Sequence, residues 1–265
     1  MQKVFDLSGR FPGQLTLDYL PSVNYAMVLN EDHAISRCHL KNCSEQTWKD
    51  VRIQIGGNLI ELCQLNLAEL KSHQTIDFQD ANLLPVTSKL MRLTEAVQSS
   101  FTITVHVGET LVLSQTLPLL LMAFDQWHGD KVRPELVAAF VTPNHPCLAP
   151  ISQRASQYLE KLSGDNSLDS YFSDDSRILQ QIESVYHALL DEHLTFQICP
   201  ASFEQTGQRI RLVDKVLNGK MANCIDLSLL LCSCLENIGI QTFLLLYDGH
   251  ALWQRVSIQT KASRW

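Results

Sequence analysis

The chain has 265 residues, 45% of them hydrophobic, which suits one large or two modest domains with a sizeable core. Its formal net charge of −7 removes the general electrostatic argument for direct nucleic-acid binding, and no basic-aromatic stripe supplies a local one. The eight cysteines (38, 43, 63, 147, 199, 224, 232 and 234) are scattered, no signal-type apolar region follows Met1, and the longest apolar run, Leu117–Phe124, is too short to span a bilayer. Reduced thiols, a cytoplasmic protein and no membrane partner are the expectation.

Residues 1–13 read as a leader or a first edge strand, with a turn at Pro12-Gly13. From Leu15 to Leu121 the pattern is short and strand-like. Strands are predicted at Leu15–Tyr19, Tyr25–Leu29, Ser36–Asn42, Val51–Ile55, Gln74–Phe78, Phe101–Val107 and Glu109–Pro118. Phe101, Ile103, Val105 and Val107 alternate with Thr102, Thr104 and His106, the period of a half-buried strand. Val107-Gly108-Glu109-Thr110 then reads as a hairpin turn. Residues 85–98 fit either a strand or a short helix. Strands at this density predict an immunoglobulin-like β-sandwich over residues 1–121. Cys38, His39 and Cys43 lack a second ligand pair at metal spacing, so no metal is expected there, and Trp48 is assigned to packing.

Residues 122–133 (MAFDQWHGDKVR) read as a linker. Pro134 suits the first turn of a short helix, Glu135–Phe140. Thr142–Pro146 is a rigid loop whose His145 either packs the loop or lines a cleft. Ile151, Ala155, Tyr158, Leu159 and Leu162 recur at helical spacing until Gly164-Asp165-Asn166. Asp174 or Ser176 caps a longer helix, Ser176–Glu192, with Ile178, Ile182, Val185, Leu189 and Leu190 on its apolar face. A strand at Leu194–Cys199, a polar loop at Ala201–Gln208 and a turn of helix at Asp214–Leu217 lead to the stretch that carries chemistry.

That stretch is Asn218–Gln259. Asn223 is a candidate N-cap, and the helix opening at Cys224 is apolar nearly all round (Ile225, Leu227, Leu229, Leu230, Leu231, Leu235), which predicts a buried central helix stopped near Gly239. Phe243–Tyr247 reads as a buried strand and Asp248-Gly249 as a tight turn. His250, Leu252, Gln254, Val256 and Ile258 then fall on one face of a second strand. A thiol at a helix N-terminus sits at the positive end of the macrodipole, which favours thiolate. A histidine on a strand packed against that helix can face the sulfur, and together they make the nucleophile–base pair of cysteine hydrolases and acyl transferases. Singly, a cysteine in an apolar helix is a small core residue and a histidine after Asp-Gly flanks a turn; the combination carries the reading. The Cys224 N–H is the leading oxyanion donor, with Gln208 or Gln205 as a second candidate. Asp226, in the first helical turn, complements the dipole and reads as structural, paired with an arginine. Cys232 and Cys234 project about 200° apart on a helix, so a metal shared with Cys224 and His250 is disfavoured, and no cofactor is expected.

The segment NCIDLSLLLCSCLENIGIQTFLLLYDGHALW resembles the transglutaminase-like branch of the papain-type cysteine enzymes. In that branch the nucleophilic cysteine begins a central helix, the histidine begins a strand after a turn, and an Asp or Asn on the next strand orients it. The resemblance implies an α+β domain over 134–265 with Cys224 as nucleophile and His250 as base, acting on an amide or peptide bond of a protein or peptide. PELVAAFVTPNHP (134–146), SLDSYFSDD (167–175) and ASFEQTGQRIRLVDKVL (201–217) are similar to a subgroup in which such a module follows a β-rich domain near the N-terminus of large bacterial superfamily I helicase-type proteins. Association with helicase-type machinery follows from that likeness. This sequence departs from the pattern in one place: no Asp, Asn or Glu follows His250. An orienting residue is a large part of such a triad, so two alternatives stand: a domain whose third member lies on a strand at or beyond the end of this sequence, and a catalytically inactive binding or regulatory module.

Overall fold

Alternation of apolar and polar residues builds the first half of the chain. In the computed structural model, which describes residues 1–129, 131–172, 174–197, 207–247 and 250–255, it yields strands β1 (Gln2–Leu7), β2 (Gly13–Tyr19), β3 (Ser22–Val23), β4 (Ile35–Asn42), β5 (Trp48–Gly57), β6 (Ile60–Leu70), β7 (Thr75–Asp77), β8 (Val97–Val107), β9 (Thr110–Leu121) and β10 (Gln126–Trp127). Helices α1 (Tyr25–Leu29) and α2 (Thr87–Leu90) interrupt them. The architecture is mixed α+β, and the chain divides into units 1–126 and 127–265.

Two sheets make up most of the first unit. One is antiparallel in the order β1-β2-β4-β7; the other runs β3-β9-β8-β5-β6, antiparallel except where β3 lies parallel to β9. Phe101, Ile103, Val105 and Val107 are buried as the alternation requires, and the last three pair with Ile55, Ile53 and Val51 of β5, also buried. The β8–β9 hairpin closes at the Val107–Thr110 pair, with Gly108 supplying a positive φ of 56°. Tyr19 of β2 meets Phe101 of β8 edge-on, 5.2 Å between ring centres, so the two sheets contribute to one interior.

Two features differ from the prediction, and one left open is resolved. Tyr25–Leu29 is helix α1, not a strand: Asn24 is fully buried, its side-chain oxygen accepts from the Met27 N–H, and its amide donates to the Gln126 carbonyl 2.8 Å away. An N-cap satisfied on both sides decides the local conformation against the apolar run. The strand Ile60–Leu70 has no counterpart in the sequence prediction. It is the edge of the five-stranded sheet and exposes Leu62 while keeping Glu61, Gln64, Asn66 and Glu69 in reach of solvent, so the apolar signal is diluted. Residues 85–98 hold both options in turn, α2 and then the start of β8.

The second unit is helical around one central element. Short 3₁₀ turns at Pro134–Phe140, Pro146–Leu148 and Ser170–Phe172 accompany α3 (Ala149–Ser163), α4 (Asp175–Leu190), α5 (Val213–Gly219) and α6 (Cys224–Asn237). Strands β11 (Thr195–Phe196), β12 (Gln208–Arg209), β13 (Met221–Ala222), β14 (Thr242–Tyr247) and β15 (His250–Arg255) complete it. Gly164 ends α3 in the left-handed region, φ 76°, and Asp174 caps α4 by accepting from the Arg177 N–H. From Ile225 to Leu235 every residue of α6 except Leu227 is buried. Leu230, Leu231 and Leu235 meet Leu148, Ile151, Ala155, Ile178 and Val185 in one apolar cluster. Among the described residues no helix is long and apolar enough to cross a membrane, and the seven described cysteines are all free thiols.

Gly13 allows one close approach in the first unit. A Cβ there would lie 2.4 Å from Trp48 Cη2 and 2.6 Å from the Lys41 carbonyl, and Trp48, 1% exposed, has no room to withdraw. Gly13→Ala is expected to lower stability by about 1–3 kcal/mol, read as a shifted urea midpoint by circular dichroism. Gly219→Ala, where the added carbon meets nothing within 4 Å, serves as the unperturbed comparison.

Candidate active site

The site is organised by how α6 begins. Asn223, in extended conformation, accepts the Asp226 N–H on its side-chain oxygen at 2.9 Å, while Asp226 Oδ2 accepts the Asn223 N–H at 3.1 Å. This reciprocal cap satisfies two donors that a helix start otherwise leaves open. Asp226 does more than cap. Its Oδ1 accepts the Arg211 backbone N–H at 2.8 Å and its Oδ2 the Arg211 guanidinium at 3.1 Å. Arg211 in turn donates to Gln197 Oε1 at 2.5 Å. Burial raises the Asp226 carboxyl above its ordinary value, and the hydrogen bonds from Arg211 and Asn223 together with the Arg211 charge pull the other way.

Three chain segments meet at this knot. Gln197 follows β11, which runs parallel to β13, with the Gln197 N–H donating to the Ala222 carbonyl at 2.8 Å. Arg211 follows β12, so the segment carrying Gln208 is tied to the first turn of α6 by its neighbour three residues on. Gln208 itself is half-buried in β12. The pairing expected for Asp226 is met by Arg211.

Cys224 is the first residue of α6, and its thiol is half-buried, unlike the buried Cys232 and Cys234 further along the helix. Burial raises both of those thiols, Cys234 to about 12. The strand that begins at His250 comes to the same end of the helix: one turn after Cys224, Ser228 Oγ donates to the Ala251 carbonyl at 2.9 Å. Sequence reasoning passed over Ser228; its spacing of four from Cys224 on a buried helix was the available signal.

The orientation along β15 is set by its pairing with β14. Ala251 is buried and Trp253 packs on the helical cluster, whereas His250, Leu252 and Gln254 are exposed. Their partners across the ladder are Tyr247, Leu245 and Phe243, themselves 71%, 46% and 54% exposed. The backbone at His250 is thus brought beside α6, while its side chain belongs to the outer row of the two-stranded sheet. The Asp248-Gly249 turn, Val256, Ile258, Gln205 and Cys199 lie outside the described residues.

The knot beneath Cys224 carries a testable cost. Asp226→Ala removes the cap partner of Asn223 and the counter-charge of Arg211 together, and is expected to destabilise the second unit by about 3 kcal/mol. Urea unfolding measures this; a change below about 0.5 kcal/mol would mean the network does not hold the helix start.

No protein-family model matches the sequence, and no curated protein matches it.

Proposed function

We propose that the second unit is a transglutaminase-like, papain-type domain that performs acyl transfer or hydrolysis at an amide or peptide bond of a protein or peptide. Cys224 is the nucleophile and His250 the base. The observation that carries this reading is the place of Cys224: the first residue of a buried, doubly capped helix, half-exposed, with the strand opening at His250 bonded to that helix one turn on. In the first step Cys224 Sγ bonds to the carbonyl carbon and its proton passes to His250. The resulting oxyanion is met by the Cys224 N–H, one of the helix-start donors that lack an intrahelical acceptor, with the Gln208 amide as a second donor. Collapse breaks the C–N bond, His250 returns the proton to the departing amine, and the thioester is released to water or to a second amine.

On the same reading the first unit is an immunoglobulin-like sandwich that selects the partner. Its four- and five-stranded sheets, sharing the Tyr19–Phe101 contact, support this assignment. The likeness of residues 134–146, 167–175 and 201–217 to helicase-associated modules makes helicase-type machinery in the cytoplasm the working context. A second reading keeps the fold and drops the chemistry: a binding or regulatory module. It is favoured by the exposed apolar surroundings of His250 (Leu245, Tyr247 and Leu252).

Alkylation separates the two. With iodoacetamide at neutral pH, read by peptide mass spectrometry, exposed Cys43 is an internal reference. A working pair makes Cys224 react about tenfold faster than Cys43 or more, and His250→Ala abolishes that advantage. Labelling of Cys224 no faster than Cys43 in either protein would favour the binding module.

A further inference from the structure

A cysteine–histidine contact lies in the turn before α3. His145 caps the 3₁₀ turn Pro146–Leu148 with its ring: Nδ1 accepts the Cys147 backbone N–H at 3.3 Å and stands 2.9 Å from Cys147 Sγ. In the tautomer that carries its proton on Nε2, Nδ1 accepts the Cys147 N–H and is also the base that faces the thiol. A thiol and a base at this distance form the geometric signature of an activated nucleophile. Pro146, between them, sets the turn that brings residues two apart into contact.

Cys147 is half-buried and packs on the same apolar cluster that contains Cys234 of α6. The loop carrying Cys147 is fastened to α6 on both sides of Cys234. The Thr142 N–H donates to Ser233 Oγ at 3.0 Å, and Asn237 Nδ2 donates to the Pro143 carbonyl at 2.7 Å. Burial and the charge of Asp214 on α5 both push the Cys147 thiol up, and a charge on Cys147 would raise Cys234. Cys147 therefore keeps its proton at rest, so its reaction depends on a base in contact, and His145 is that base.

We propose that Cys147 is a peroxide-modified thiol, with His145 taking its proton and Cys234 resolving the product into an intramolecular disulfide. The Cys147 sulfur attacks one peroxide oxygen and the O–O bond breaks. The thiol proton passes through His145 Nδ1 to the departing oxygen, giving a sulfenic acid and water or an alcohol. Cys234 then attacks that sulfur: the S–S bond forms, the S–O bond breaks, and the hydroxyl leaves as water with the Cys234 proton. The pair is independent of the chemistry assigned to Cys224.

The test uses the full chain carrying Cys224→Ala, reduced, freed of reductant and treated with hydrogen peroxide. Expected is the loss of two hydrogens in intact mass and a cross-linked peptide joining residues 147 and 234. Cys234→Ser should instead trap a dimedone-reactive sulfenic acid on Cys147. His145→Asn retains an oxygen that accepts the Cys147 N–H but cannot take a proton, so the turn persists while oxidation slows at least about tenfold. Oxidation confined to exposed Cys43, or equal rates with histidine and asparagine at position 145, would overturn the proposal.

Discussion

The buried Asp226 carboxylate is the constraint on which the second unit depends. A charge taken out of water costs several kcal/mol unless it is matched, and Asp226, with no exposed side-chain surface, is matched from two directions. Asn223 holds it to the helix it starts, and Arg211 holds it to the segment that arrives from β12. An apolar helix buried on all sides has no polar face to fix its rotation. A network of directional bonds at its first turn supplies what nonspecific burial cannot. The rotation of α6 decides where Cys224 points, so the polar knot and the placement of that thiol cannot be varied separately. Placing Asp226 two residues from Cys224 sets a negative charge near a thiol, and the Arg211 guanidinium in contact with it offsets that field.

What could be read from the sequence was what local chemistry decides. The start of α6 was legible in Asn223, its apolar length and Gly239, because a cap, a period and a left-handed stop all lie within one element. The β8–β9 hairpin was legible because the alternation on both arms and Gly108 agree. Tyr25–Leu29 was misread because its five residues, YAMVL, have no period to distinguish strand from helix. The deciding bond, Asn24 to the Gln126 carbonyl, comes from residues about a hundred positions away. The edge strand β6 was hidden because an exposed edge needs little apolar signal once β5 supplies its hydrogen bonds.

The candidate site divides along the same line. Residue identity was legible; orientation was not. Period 2 grouped His250 with Leu252 and Gln254 but could not say which of the two rows faces α6, since both rows contain apolar residues. Ala251 settles that locally: it is small enough to bring the β15 backbone within reach of Ser228, and the ladder with β14 then turns His250 and Leu252 outward.

The contrast among the thiols of this unit explains why cysteine count alone said little about chemistry. Cys234 is sealed in the cluster and its thiol is pushed up to about 12, which makes it inert until a reactive sulfur is delivered to it. Cys147 has a base in contact but an environment that opposes thiolate. Cys224 has a helix start and a half-open position. The same functional group thus occupies three settings that differ in burial, in nearby charge and in access to a proton acceptor. Those settings are built by elements far apart in sequence, the Pro146 turn and the two faces of α6. Reactivity in this domain is a property of how α6 is surrounded, and the bonds that fix α6 in place are what make the three sulfurs different.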